Sequence, residues 1–482
     1  MSHIITQQIL PGLHWVEIPA AGLRLQCGCP PDANKYLRAA GLICEGIHGE
    51  TGPNAILLAD TTAEPYTKGW YPVNTAEFSV MQMLYLQGLI VPNHPNNTGK
   101  KPLLIGETAE LNRQLRYIYY GNYGLDNIRK LQAAGMNEQE AAAFWYVKEK
   151  FAFGAINPIT NLIQPVYLDA TETVEPLTGC YITRLQPNHF RISYASETVE
   201  INLQPGIFPS AYSLPAVHLP NDVAFGILHV GDGDGWDATR PCMGTALLFY
   251  EQCYMVDAGP NVWQNWQQTG KTLADIQGVF LTHAHDDHAI GLMQAIHSGM
   301  RLPVYCNSVV QAAFKQKMAA LAGISPNEMT YFFDFRLLNI HQWQTIATAE
   351  NGATLQVMPC YSLHPIETHI YYFRYTDAAG NQKTYGHLAD ILSERGLRAM
   401  EQSAPEQSRW LFEQIRRYYY LPADLKKIDI GGGATHGLAE DFISDTTVVK
   451  IFAHTHRPLT TEELKIGQAR AFGDCDVLQA LI

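Results

Sequence analysis

The segment Thr282-His283-Ala284-His285-Asp286-Asp287-His288 places three histidines and two aspartates within the six positions 283–288. It directly follows Val279-Phe280-Leu281, an apolar run that reads as a buried strand. His283 and His285 are two residues apart, so an extended backbone projects both to one side. Asp287 and His288 then fall in the turn that follows and can face back toward the same point. Imidazoles and carboxylates this dense are costly to bury unless something positive organises them. A divalent metal does so, and a mixture of His and Asp suits zinc, iron or manganese.

Here the chain resembles the metallo-β-lactamase superfamily, whose signature is His-x-His-x-Asp-His after a buried strand. The resemblance extends through the C-terminal half. Cys253-Tyr254-Met255-Val256-Asp257-Ala258-Gly259-Pro260 is similar to the family's early strand ending in Asp-x-Gly, where the aspartate supports the site. His364 follows Leu355-Gln356-Val357-Met358 and matches the third motif. Asp390, in Tyr385-Gly386-His387-Leu388-Ala389-Asp390, matches the bridging aspartate. His454, after Val448-Val449-Lys450-Ile451-Phe452-Ala453, matches the final histidine.

The resemblance implies an αββα sandwich in the C-terminal half, with a two-metal site at one edge of the paired sheets. It implies His283, His285 and His364 around one ion and Asp287, His288 and His454 around the other, with Asp390 bridging. A hydroxide between the ions would be the nucleophile and Asp287 would orient it. Two further residues compete for places. Glu367 lies three positions after His364. The diiron β-hydroxylase group of the superfamily, which acts on carrier-tethered amino acids, uses glutamate at this motif and carries a large N-terminal domain. That likeness makes Glu367 a candidate ligand, although Glu367, His369 and Tyr371 also alternate as one face of a strand would. His436, in the glycine-rich run Gly431-Gly432-Gly433-Ala434-Thr435-His436-Gly437, competes with His454 for the last position. His454 ends an apolar strand and is favoured as the ligand, which leaves His436 as a catalytic pocket residue.

The elements that must position these groups divide the chain near residue 220. Beyond Leu219-Pro220-Asn221-Asp222, Val223–Val230 and Gly244–Tyr250 read as strands around the tight loop Gly231-Asp232-Gly233-Asp234-Gly235. Residues 221–482 therefore form the expected catalytic domain. Residues 1–220 form a separate α+β domain whose role is not written in its motifs. Asn137-Glu138-Gln139-Glu140 is a capping box that opens a helix to about Lys150. A second helix is expected from Glu107 to Tyr120, stopped by Gly121. Cys180–Leu185 and Phe190–Leu203 are expected strands. Aromatic residues such as Trp70, Tyr85, Tyr119 and Trp145 suit a docking role, so this domain is expected to narrow the mouth of the site and to contribute to a homodimer.

The 482 residues carry a formal charge of −13, with an isoelectric point near 5.7, which disfavours nucleic acid as partner. Nine scattered cysteines without paired spacing read as reduced thiols in a cytoplasm. No apolar run approaches the roughly 20 residues of a membrane span, and Met1-Ser2-His3-Ile4-Ile5-Thr6-Gln7 lacks a signal-peptide pattern.

The expected activity is hydrolysis of an ester, lactone, amide or phosphodiester of a small metabolite. It would use two divalent ions, zinc first, then iron or manganese. A diiron oxygen-dependent oxidase or hydroxylase acting on an amino acid or natural product, free or carrier-tethered, is the alternative. A non-catalytic metal-binding sensor is the third reading.

Overall fold

The structure, a computed structural model, describes residues 3–61, 64–67 and 70–481. Its C-terminal part is built from two mixed sheets laid face to face. One has seven strands in the order Phe333–Leu337, Leu302–Cys306, Ile276–Phe280, Gln252–Val256, Gly244–Phe249, Val223–Gly231 and Cys475–Ala480. The other has six, in the order Gln344–Thr348, Thr354–Ser362, Thr368–Thr376, Gln382–Leu388, Leu425–Asp429 and Val449–Ala453. Their inner faces carry Phe225, Leu247, Phe280, Leu355, Phe373, Tyr385 and Ile451, which form one buried apolar cluster. Strands covered on both faces read as near-continuous apolar runs, and every residue of Val223–Gly231 is buried. Asp286–Ala295 and Ser308–Ala322 cover one outer face, and Glu394–Gln402 and Arg409–Tyr419 cover the other. This is the αββα sandwich.

The N-terminal part is a separate α+β unit. Its six-stranded sheet runs Ile5–Leu10, Leu13–Ile18, Leu23–Cys27, Ala55–Leu57, Leu103–Gly106 and Gln164–Tyr167. The first three strands pair antiparallel and the remainder parallel. A four-stranded antiparallel sheet follows over residues 173–202. The helix Glu138–Phe151 starts on a reciprocal capping box between Asn137 and Glu140, as the spacing predicts.

Two local expectations are corrected. The helix expected to stop at Gly121 runs Thr108–Tyr123 and ends at Gly124, whose φ of 57° is left-handed. A glycine inside a helix costs only about 1 kcal/mol, and here the bare Cα is required. A Cβ at Gly121 would stand 2.5 Å from the carboxyl carbon of Glu77. The long strand expected over Phe190–Leu203 is two strands, His189–Tyr194 and Glu197–Asn202, paired as a hairpin around Ala195 at φ 53°.

The two parts pack against each other through a buried apolar contact. Leu111, Leu115 and Ile118 of the helix Thr108–Tyr123 lie in the same buried cluster as Val310, Phe314 and Met318 of Ser308–Ala322. Among the described residues, no helix is long and apolar enough to cross a membrane.

Candidate metal centre

The strand Ile276–Phe280 delivers the chain to the sheet edge, and the helix Asp286–Ala295 begins after five intervening residues, with His285 as its N-cap. Asp286 and Asp287 thus occupy the first helical turn rather than a free turn, where the helix dipole favours negative charge. His364 follows the strand Thr354–Ser362, Asp390 follows Gln382–Leu388, and His454 follows Val449–Ala453. Three carboxylate or imidazole positions sit in the left-handed backbone region: Asp257 at φ 62°, Asp390 at φ 49° and His454 at φ 61°. Non-glycine residues hold such angles only where their surroundings over-determine them.

Six of these side chains converge around Asp390. His283 Nε2 and His364 Nε2 each lie 3.1 Å from His285 Nδ1, and 3.4 and 3.3 Å from Asp390 Oδ2. On the other carboxylate oxygen, Asp390 Oδ1 is 3.0 Å from His288 Nε2 and 3.4 Å from His454 Nε2. Asp287 Oδ2 closes that group at 3.2 Å from His454 Nε2 and 3.5 Å from His288 Nε2. One carboxylate therefore faces two sets of three donors.

The spacing fits metal ions. Two ligands held tetrahedrally at 2.0–2.1 Å from zinc stand about 3.3 Å apart, the separation seen throughout both sets. Asp287 Oδ1 and Asp390 Oδ1 are buried without a hydrogen-bond partner, which is costly in an empty apolar setting. Four of the five site histidines also meet a hydrogen-bonding oxygen with the far nitrogen, whereas His454 Nδ1 has only a longer approach to Asp429. His288 Nδ1 meets Asp257 Oδ2 at 2.8 Å, His283 Nδ1 meets Thr282 Oγ1 at 3.0 Å, and His364 Nδ1 meets the Thr435 carbonyl at 3.3 Å. His285 Nε2 meets the carbonyl of Gly121 at 3.1 Å, and His454 Nδ1 stands 3.5 Å from Asp429 Oδ1. Such partners fix the tautomer and leave the inward nitrogen free to bind. The clustered donors give capacity for one or two divalent ions.

Protonation follows the same division. Burial and the neighbouring His283, His364 and Lys317 hold His285 well below the usual imidazole range. Burial brings His364 to about 3 despite Asp390. His288 is equally buried, but Asp287, Asp390 and Asp257 outweigh that cost and raise it well above the ordinary value.

Glu367, expected as a ligand, is placed elsewhere. Its Oε1 pairs with Lys148 Nζ at 2.6 Å and its Oε2 accepts from the Leu125 amide at 3.0 Å. Both oxygens are committed to the N-terminal domain, and none of the donor clusters among the described residues includes it. His436 joins Asp390, Asp429 and His454 in one donor cluster but stands at its rim. Its Nδ1 is 3.0 Å from Asp429 Oδ2 and 4.0 Å from Asp390 Oδ2, and at 21% side-chain exposure it is far more open than His454 at 3%. Burial lowers its proton affinity, but Asp429 and Asp390 overcome this and raise it. The buried Tyr371 and Tyr372 direct their hydroxyls to backbone carbonyls of Leu281, Tyr305, Tyr418 and Leu421.

Asp429 was not singled out by its sequence pattern. It accepts from His436, Gly431 and Ile391, and faces His454. The available signal was a carboxylate ending the strand Leu425–Asp429 just before the glycine run. A chamber of about 20 Å³, room for roughly one water, adjoins Asp287 and is walled by Asp32, Asn34 and Ser79 of the N-terminal domain.

Comparison with known proteins places these residues among relatives. A 126-residue stretch is 28% identical to a cGMP-dependent 3',5'-cGMP phosphodiesterase A of Dictyostelium discoideum, covering 26% of this chain and 14% of that protein. The chain thus spans about a seventh of that relative's length. Among solved structures, it is similar to the metallo-beta-lactamase fold protein YhfI from Bacillus subtilis, at 16% identity and a TM-score of 0.37 over 52% of this chain and 98% of that one. It is also similar to a diphosphatase from the PhnP family, at 14% identity and a TM-score of 0.36 over 54% of this chain and 99% of that one. Residues 253–392 match the family model of the beta-lactamase superfamily domain. With the paired sheets around that segment, the C-terminal part of this chain has the metallo-β-lactamase fold, and its donor clusters are candidate metal sites.

Proposed function

We propose that the protein is a two-metal hydrolase of a small-molecule ester, with a phosphodiester such as a cyclic nucleotide as the first candidate substrate. The observation that carries this reading is the arrangement about Asp390, one carboxylate oxygen toward each set of three donors. His283, His285 and His364 would hold one ion, and Asp287, His288 and His454 the other. When bound, the ions supply a nucleophilic water at neutral pH and neutralise charge on the reacting oxygens.

The remaining work falls to the chain. Asp287, whose Oδ1 is unpartnered, accepts a hydrogen bond from the attacking water and sets its direction. His436, carried on the glycine-rich loop and hydrogen-bonded to Asp429, which favours its protonated form, would hand a proton to the departing oxygen. Asp32, Asn34 and Ser79 of the N-terminal domain close the chamber beside Asp287. The phosphodiester preference draws on the Dictyostelium relative, whose name records that chemistry. The net charge of −13 favours a small substrate over a long polyanion. With both Glu367 oxygens engaged by Lys148 and Leu125, the carboxylate-rich donor set that motivated a diiron oxygenase loses its main support.

Protein loaded with zinc or manganese should cleave bis(p-nitrophenyl) phosphate and at least one member of a panel of cyclic nucleotides, lactones and carboxylic esters. Asp287→Asn and His436→Gln should both lose that activity while the first also weakens metal binding. Inactivity of every metal form across the panel contradicts the proposal.

A further inference from the structure

His285 is the one site histidine whose orienting partner comes from outside the catalytic domain. Its Nε2 lies 3.1 Å from the carbonyl oxygen of Gly121, which belongs to the N-terminal helix Thr108–Tyr123. A carbonyl only accepts, so Nε2 carries the proton and Nδ1 is left bare toward His283 and His364.

The N-terminal domain is also tied to the loop on either side of His285, through Tyr117 and through Lys317. Lys317, fully buried, donates to the Ala284 carbonyl at 2.5 Å and pairs with Asp286 Oδ1 at 2.9 Å. It pairs at the same time with Glu77 of the N-terminal helix Ala76–Met81. Tyr117 of Thr108–Tyr123 donates to Asp286, and Lys317 lies over its ring at 5.0 Å from the centroid. Glu77 packs directly on the Cα of Gly121. At its far end the helix gives way to Leu125, whose amide is held by Glu367, three residues after His364. One N-terminal helix therefore spans the two loops that carry His285 and His364.

We infer that the N-terminal domain is a structural part of the metal centre, with the Gly121 carbonyl, backed by Glu77 and Lys317, acting as the positioning group for His285. The inference rests on the two-metal reading above. It assigns the domain a duty on the metal itself rather than on substrate access alone. Burying Lys317 between two carboxylates is expensive unless each partner stays in place, so a shift of the helix is transmitted to the loop.

Gly121→Ala tests this in the whole chain. In an ordinary helix, that change is neutral or stabilising. Here the new Cβ would meet the Glu77 carboxylate at 2.5–2.6 Å, displacing either Glu77 from Lys317 or the helix from His285. Apo protein is titrated with cobalt(II) in competition with a chelator, and the visible d–d bands are recorded. The expected result is a roughly 10–100-fold loss of affinity and altered bands for the ion held by His283, His285 and His364, with the other ion unchanged. Glu77→Gln keeps the side-chain shape, guards against a folding failure of the alanine variant, and should weaken the same ion in the same direction. Wild-type affinities and spectra in the folded variants overturn the inference. A wild-type protein that binds no cobalt overturns the two-metal reading instead.

Discussion

Replacing Asp257 by Asn changes one oxygen for an NH2 group and should disable His288 as a ligand. Asp257 Oδ1 accepts from the Thr282 amide at 2.8 Å, and Oδ2 stands 2.8 Å from both Thr282 Oγ1 and His288 Nδ1. The Thr282 hydroxyl donates to Asp257 and so accepts from His283 Nδ1 at 3.0 Å. The carboxylate thereby sets the tautomer of His288 directly and of His283 through Thr282, leaving both Nε2 atoms free. In the Asn variant, the Thr282 amide can only donate, so it demands the amide oxygen. The NH2 group must then face His288 Nδ1, donor against donor, while the Thr282 hydroxyl can still donate to the amide oxygen, which it reaches at 3.0 Å. Leaving a buried donor unmatched costs about 1–3 kcal/mol, and His288 escapes by moving its proton to Nε2, where the metal should bind. Loss of such partners typically weakens metal affinity about 10–100-fold, or roughly 1.4–2.7 kcal/mol. Chelator competition with zinc measures this, and a melt in excess chelator shows that the apo fold is kept. Wild-type affinity for the ion on His288 in folded Asp257→Asn refutes the tautomer argument.

Three further outcomes are expected. Glu367→Ala should leave the metal count unchanged while strandeding Lys148, which is only 5% exposed beside it; urea unfolding should show a loss of about 3–5 kcal/mol. Asp390→Asn should weaken both ions together, because its two oxygens face separate donor sets, whereas His454→Ala should weaken one; metal titration distinguishes these patterns. His341, stacked on Tyr418 at 4.3 Å, is lowered to about 4 by burial and by Arg417. Its neutral form is the one the fold accommodates, so the stability it supports is complete above its unfolded value of 6.5 and declines as pH falls toward 4. His341→Gln should flatten that part of the melting-temperature profile between about pH 7 and pH 5, and an unchanged profile would remove His341 as its source.

How far the architecture could be read from the chain depended on where each signal was local. The crowding of His283, His285, Asp287 and His288 within one short stretch, after a buried strand, was visible because ligand chemistry needs rare residue types close together. His364, Asp390 and His454 could be placed because each follows an apolar strand. Glu367 misled because its spacing from His364 says nothing about Lys148, which lies more than two hundred positions away in sequence. The helix end was misplaced at Gly121 because a glycine that terminates a helix and one that makes room for Glu77 look alike in one dimension. The role of the Gly121 carbonyl was invisible, since every residue has one. Lys317 and Glu77 were equally hidden, as isolated charges in helical segments ordinarily face solvent.

The central claim is that two ions share Asp390, and an anomalous-difference map from crystals grown with zinc or manganese addresses it directly. The account predicts two peaks about 3.5–4 Å apart. One should be bounded by His283, His285 and His364, the other by Asp287, His288 and His454, with Asp390 between them. The absence of any peak among these residues, or ions bound only elsewhere, would contradict it.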